Sequence, residues 1–413
     1  MNLLGLYSDT LDHVAGLVKP TTTAPKVVRY GVKKVAVILS SSRAGSSYLK
    51  AILRQHPLIA SLPGEEEPFL ALTRNGFPFH TDSDALPEGG LIDPDLLAAY
   101  IASALQQGGG RPTHSSLVEA WRLRLPLQHL RGFSEDTIRE AVEAAAAEDL
   151  PNVFGFSEQF LTRMMPPGDY GLYDIPSLTA TTTPFIRLLK IEEPPFVDIP
   201  MTAPVIPRDI GNYTLLFKTP QNVYRPGLFE QLYPNAEIVY IHLTRGFAQT
   251  VNGLMDGWLS DTGFFAHNVS GVSDVTLGIG GYSDVKPYGK EWWKFDLPPN
   301  WREYTDSPLH EVCLNQWQQA VTAPVLSFPA SYRVRAENLL NGGAYDAVRG
   351  ILQHLGLDPE PVFLLPANVM TTEPPAPFRW RKREQLMLEL AERPYVASTM
   401  QNLDYSMDPS TWR

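Results

Sequence analysis

The chain has 413 residues, 44% of them hydrophobic, and its 34 lysines and arginines against 45 aspartates and glutamates leave a formal charge of −11. That length exceeds the usual single-core size, so a core with a large insertion, or two domains, is expected. The acidic balance argues against a general nucleic-acid binder, Cys313 as the single cysteine excludes an internal disulfide or a cysteine-cluster metal site, and no run reaches the ~18 apolar residues that span a bilayer. The N-terminal stretch carries acidic residues and no basic n-region, so it does not read as a signal peptide, and a cytoplasmic protein is the simplest reading.

Residues 1–30 read as an amphipathic leader and a Thr/Pro linker, Pro20 to Pro25. Leu3, Leu4, Tyr7 and Leu11 share a helical face, expected to cover the core rather than to serve a partner. Val35 to Leu39 is a continuous apolar run, as in a strand buried on both faces of a parallel sheet. Ser40 to Gly45 is a small-residue turn holding Arg43, and beyond Ser46 the residues Leu49, Ile52 and Leu53 take helical spacing up to Pro57. Strand, tight loop and helix N-terminus make an anion site, because unpaired N–H groups and the positive end of the helix dipole face one place. Arg43, Ser46 and Ser47 would complete a phosphate cradle; the alternative is a small-residue turn with no ligand. Gly45 is followed by Ser46 and not by lysine, so this is not the GxxxxGK[ST] loop of nucleotide triphosphatases.

The run S-R-A-G-S-S-Y-L, Ser42 to Leu49, with its helix ending in His56-Pro57, resembles the 5′-phosphosulfate loop of PAPS-dependent sulfotransferases. The resemblance implies that Arg43 reaches the phosphate left when the sulfuryl group departs. Ser46 and Ser47 would bind that phosphate, with Ala44, Gly45 and Tyr48 around it. In several bacterial members a Gly-Glu after the loop helix places a carboxylate by the acceptor hydroxyl, and Gly64-Glu65 stands in a similar place. Glu65, ahead of Glu66 and Glu67, is thus one candidate general base. Three consecutive glutamates otherwise read as a solvated acidic turn.

Residues 81–210 alternate helical stretches, Leu96 to Leu105 and Glu135 to Leu150, with proline-rich segments, Met164 to Pro167 and Glu192 to Pro207. We read them as a helical, proline-rich insertion, a lid over the acceptor pocket. The sheet pattern returns at Tyr213 to Lys218. Ile238 to Leu243 then leads into Arg245, followed by Phe247, Val251, Leu254 and Trp258 at helical spacing. This second strand-arginine-helix unit resembles the 3′-phosphate element of the same enzymes, with Arg245 as its arginine. Gly246-Phe247 replaces the family's Asp-Pro, and the serine position falls on Gly253, leaving Asn252 or Thr250 to supply that hydrogen bond. The ending NGLMDGW looks like a cyanobacterial subset that includes sulfotransferase domains of polyketide megasynthases acting on carrier-bound β-hydroxyacyl chains. Lys218-Thr219-Pro220 occupies the place of a Lys-Thr-His segment whose histidine is the base in cytosolic eukaryotic members. Pro220 cannot serve, so the base must lie elsewhere. His267 is the second candidate and the one we favour from sequence, since an unperturbed imidazole titrates near ~6.5.

Trp292-Trp293-Lys294-Phe295 would wall an acceptor pocket, stack on adenine, or pack into the core. Glu311 to Ala320 and Tyr332 to Leu340 resemble the tryptophan-bearing helix, the last core strand and the turn after it. Pro377 to Glu384 resembles the C-terminal basic segment over the 3′-phosphate, with Arg379 and Arg381 as contacts. The expectation is an α/β fold of P-loop-like sulfotransferase architecture, a central parallel sheet flanked by helices, with 31–80 and 211–413 as core. Its reaction would move a sulfuryl group from PAPS to a small-molecule, lipid or acyl-carrier-bound hydroxyl, leaving PAP. No metal is expected. His267 or Glu65 would act as base, while Arg43 and Lys218 stabilise the departing phosphate. A non-catalytic nucleotide- or carrier-binding module and an ATP-dependent phosphotransferase are the rivals.

Overall fold

The computed structural model describes residues 3–20, 25–108, 113–129, 132–149, 153–165, 203–261, 263–273, 275–340, 343–360, 365, 373 and 376–413. Its strands are β1 (Lys34–Ser40), β2 (Ile59–Ser61), β3 (Gln106–Gln107), β4 (Ala203–Pro204), β5 (Thr214–Lys218), β6 (Glu237–Thr244), β7 (Phe265–Asn268), β8 (Trp292–Lys294) and β9 (Tyr332–Arg335). Seven form one sheet in the order β4-β3-β2-β5-β1-β6-β9, and β7 pairs with β8 apart from it. Neighbours from β2 to β9 run parallel, while β3 and β4 add antiparallel at the β2 edge.

Helices cover both faces, which is why β1 is apolar at consecutive positions. Val35, Val37 and Leu39 point into a layer with the helices Leu3–Leu17, Pro94–Ala104 and Leu228–Leu232. Ala36 and Ile38 point into the other, with the helices Ser46–Leu53 and Ala344–His354. The fold is therefore α/β, with a mostly parallel central sheet flanked by helices.

From β1 the chain passes beyond the β5 position to β2, returns to β5, then crosses to β6 on the far side of β1. Strand order thus reverses at β1, and a crevice opens outside the strand C-termini at such a point. Register sets what lies there: Ser40 stands beside Leu243, and Ile38 beside Lys218.

Within 81–210 the chain supplies β3, β4 and the core helix Pro94–Ala104 as well as the helices His114–His129, Glu135–Asp149 and Val153–Met164. Trp121 and Phe160 of that bundle stack at 4.4 Å and join the hydrophobic cluster that holds Phe247 and Trp258. Of the proline-rich segments, residues 166–167 and 192–202 lie outside the described residues, as do 21–24 of the linker. Among the described residues no helix is long and apolar enough to cross a membrane.

The leader helix buries Tyr7, Leu11 and Val14, and Tyr7 stacks on Phe79 at 6.0 Å. Arg74 ties the same helix at Asp12, 2.7 Å away. Leu11→Ala should therefore cost about 2–5 kcal/mol in urea unfolding, the range for a buried leucine. An unchanged midpoint would return the leader to a partner-docking role.

Candidate active site

β1 ends at Ser40, and the chain turns through two left-handed residues, Arg43 at φ 67 and Gly45 at φ 94, before the helix begins at Ser46. Positive φ is uncommon for arginine and persists only where the surroundings hold it. The N–H groups of Ser46, Ser47 and Tyr48 fall in the first turn, where no intrahelical acceptor exists. Ser40 and Ser41 add buried hydroxyls without hydrogen-bond partners. Ser42 Oγ donates to Asp296 Oδ1 at 2.8 Å, and Tyr224 OH donates to Asp296 Oδ2 at 2.7 Å. Burial pushes Asp296 up to about 6.

Arg245, at the end of β6, donates from Nη1 to the carbonyl oxygen of Arg43 at 2.9 Å. The two strand-arginine-helix units thus meet. Arg245 is half-buried, its Nε is enclosed without an acceptor, and it makes no salt bridge among the described residues. Loss of solvent lowers its pKa, with Glu337 opposing and Arg379 adding to the fall. Glu337 Oε1 accepts from Gly246 N at 3.0 Å, so the N-terminus of the Phe247–Leu259 helix already faces a carboxylate. Beside that carboxylate the end of β6 contributes the Arg245 guanidinium.

Gly253 faces the loop arginine: a Cβ there would lie 3.4 Å from Arg43 Cβ. Thr250 Oγ1 donates to Gly246 O of its own helix, at 3.0 Å, whereas Asn252 Oδ1 accepts from Arg383 Nη1. One turn on, Asp256 holds Arg379 at 3.0 Å, Lys382 at 2.7 Å and Arg383 at 2.8 Å. The C-terminal basic segment is thereby laid on this helix. Arg381 is exposed, over the Phe378 ring at 4.7 Å and 3.9 Å from Glu384. Arg383 and Asp256 escaped sequence reasoning, although the acidic residue inside NGLMDGW opposite a basic run was a signal for them.

The glutamate run is not the solvated turn that its composition suggests: Glu65, Glu66 and Glu67 are 1%, 2% and 3% exposed. They survive burial because the end of β5 and the segment after it present a partner to each. Lys218 Nζ donates to Glu65 Oε1 at 2.6 Å and Thr219 Oγ1 to Oε2 at 2.9 Å. Asn222 Nδ2 donates to Glu66 Oε1, and Arg225 pairs with Glu67. Burial raises the pKa of Glu65 against the pull of Lys218 and Thr219. Among the described residues Glu66 makes no salt bridge, its Oε2 is buried without a partner, and burial with the charge of Glu67 pushes it up to about 7. Lys50, in the loop helix, donates to Gly64 O at 2.5 Å and so ties Glu65 to the anion loop.

His267, on β7, is fully buried, its Nε2–H donating to Asp84 Oδ1 at 2.8 Å and its ring edge-on to Phe77 at 4.9 Å. Asp84 also accepts from Leu297 N at 2.7 Å and lies 3.6 Å from Arg225 Nη2. Arg43, Arg245, Asn252, Gly253 and Arg379 are thus gathered on one side and Glu65 with Lys218 on the other, while His267 sits in the ionic network behind Glu67. Among the described residues no group of three or more His, Cys, Asp and Glu is placed to hold a metal ion.

No protein-family model matches the chain, and no curated protein is similar to it in sequence. Among solved structures it is similar to the sulfotransferase STF1 from Mycobacterium tuberculosis H37Rv, at 14% identity over 86% of this chain and 82% of that one, with a TM-score of 0.34. A likeness at that level assigns neither a site nor a substrate.

Glu66 titrates near 7 in the fold against an ordinary 4.5, so its protonated form stabilises the native state fully below about pH 4.5, and that stability is lost as pH rises through about 7. Glu66→Gln, which cannot ionise, should become more stable than the parent by on the order of 3 kcal/mol above neutrality, the two converging in acid. Urea melts from pH 4 to 8 read this directly. A difference independent of pH would refute the buried-acid assignment.

Proposed function

We propose that the chain transfers a sulfuryl group from PAPS to a hydroxyl of a small-molecule, lipid or carrier-bound β-hydroxyacyl acceptor. The observation that carries the reading is Arg245, a half-buried arginine with no salt bridge among the described residues, bonded to the backbone of a second arginine at the mouth of a strand-loop-helix anion site. A site of this kind is completed by anions rather than by side chains. PAPS offers a 5′-phosphosulfate for Arg43, Ser46, Ser47 and the first-turn N–H groups, and a 3′-phosphate for Arg245 with Arg379 and Arg383. The S-R-A-G-S-S-Y-L resemblance supports the same assignment. NGLMDGW supports a carrier-bound acceptor.

Glu65 is the better-supported base. Burial raises its pKa, which lowers the cost of the protonated state it reaches on taking the hydroxyl proton. As its carboxylate is neutralised, Lys218 loses its counter-charge beside the anion loop. Its ammonium then opposes the charge that develops on the bridging oxygen. The acceptor oxygen bonds to sulfur, the bridging S–O bond breaks, and its electron pair stays on the 5′-phosphate, which Arg43 meets. His267 is enclosed, with Nε2 committed to Asp84. Its contacts support a structural role. An ATP-dependent phosphotransferase would need a lysine after Gly45, and Lys50 is instead held on Gly64 O.

Calorimetry with PAP, adenosine 5′-phosphosulfate and ATP, followed by turnover, tests the reading. Arg43→Ala and Arg245→Ala should each weaken PAP by about 1.5–3 kcal/mol, and Arg245→Ala should spare adenosine 5′-phosphosulfate, which lacks the 3′-phosphate. Equal losses for both ligands would remove Arg245 from the 3′-phosphate.

Glu65→Gln should lose on the order of 10²–10⁴ in kcat with PAP affinity kept, and His267→Ala much less. The reverse ranking would move the role to His267. Tight PAP binding without turnover on any hydroxyl would make the chain a binding module.

A further inference from the structure

The β7/β8 ribbon has no part in the reading above, yet its end lies against the donor loop. Arg43 sets its guanidinium over the ring of Phe264, 4.9 Å from the centroid, and Phe264 directly precedes β7. Phe264 in turn packs on Phe295 at 5.0 Å, and Phe295 directly follows β8. Both phenylalanines are left-handed, at φ 61 and 64, and Phe295 N donates to Phe264 O at 3.2 Å. Such backbone is costly for an aromatic residue and is held only where the surroundings over-determine it. The surroundings here include Gly257, where a Cβ would stand 2.2 Å from Phe295 Cζ, so that ring occupies space which only glycine leaves. Rings and glycines therefore form a column from the Phe247–Leu259 helix to Arg43, and Gly253 of the same helix lies against the aliphatic part of Arg43.

We infer that Phe264 is a positioning residue for Arg43, backed by Phe295 in the space left by Gly257; the inference rests on the proposed role of Arg43 at the 5′-phosphate. The aromatic face attracts the flat face of the guanidinium and so fixes the plane whose edge makes paired bonds to a phosphate. An arginine on a flexible stem must otherwise be ordered when the anion arrives. The column orders it beforehand, and it accounts for two strained phenylalanines at the end of a short ribbon.

The test measures binding of PAP and of adenosine 3′-phosphate, which lacks the 5′-phosphate, by calorimetry. Phe264→Asn keeps a residue that tolerates left-handed backbone and removes the ring. It should weaken PAP about 3- to 30-fold, leave adenosine 3′-phosphate within twofold, and add nothing to the loss caused by Arg43→Ala. Phe264→Tyr should restore PAP affinity. If Phe264→Asn lowers the Tm, Phe264→Leu, which keeps apolar volume without the π face, carries the same comparison. Equal losses for both ligands, losses that add to those of Arg43→Ala, or failure of Phe264→Tyr to restore binding would each overturn the inference. A normal PAP affinity in Arg43→Ala would instead overturn the donor-site reading, and this inference with it.

Discussion

The pairing of β1 with β5 on one side and β6 on the other is the constraint on which the site depends. In a parallel sheet all carboxyl ends open on the same rim, so Ser40, Lys218 and Thr244 are delivered together by register alone. A one-residue slip would exchange Ala36 and Ile38 with Val35, Val37 and Leu39 between two differently packed layers. Sites that demand chemistry from segments some 200 residues apart need such a fixed frame. The Arg245–Arg43 bond, across 202 positions of sequence, is its local expression.

Charge burial divides the rim into two kinds of surface. On the β2/β5 side anions and cations compensate one another: Lys218 with Glu65, and Arg225 with Glu67 and Asp84, while His267 is hydrogen-bonded to Asp84. Removing one member of such a pair costs more than the pair contributes, so the cluster mainly specifies one arrangement. On the β6 side Asp256 and Glu373 hold the basic segment, while Arg245 keeps an enclosed Nε and, among the described residues, no salt bridge. The second sets Arg245, Arg379, Lys382 and Arg383 against Asp256, Glu373 and Glu337, in a chain whose formal charge is −11.

The sequence shows the elements and hides most of their partners. Apolar runs and helical spacing locate β1, β5, β6 and the helices after Gly45 and Arg245 correctly, because period and turn chemistry are local. Local composition could not choose between a buried carboxylate and a solvated turn at Glu65 to Glu67, because the partners that allow burial are 153, 156 and 158 residues downstream. A trace of them was present, since Lys218, Asn222 and Arg225 recur at the four- and three-residue spacing of one helical face behind an apolar strand. For Asp84, which links His267 to Arg225, no local pattern distinguishes it from the neighbouring acidic residues, and only the fold selects it.

Lys294 to Leu297 show how two halves so different in charge are kept in step. Lys294 Nζ donates to Ser260 O and Gly263 O, at 2.5 and 3.1 Å, closing the C-terminal end of the helix that begins beside Arg245. Phe295 fills the space at Gly257 and supports the ring under Arg43. Asp296 accepts from Ser42 of the anion loop and from Tyr224 of the segment that partners the glutamates. Leu297 N reaches Asp84, and through it His267 and Arg225. Four consecutive residues therefore contact the Arg245 helix, the ring under the loop arginine, the loop's Ser42 hydroxyl and the buried acid network in turn. The aromatic stretch read from sequence as pocket wall, adenine stack or core is core, and its successors join the loop after β1 to the carboxylates, so that neither can shift without the other.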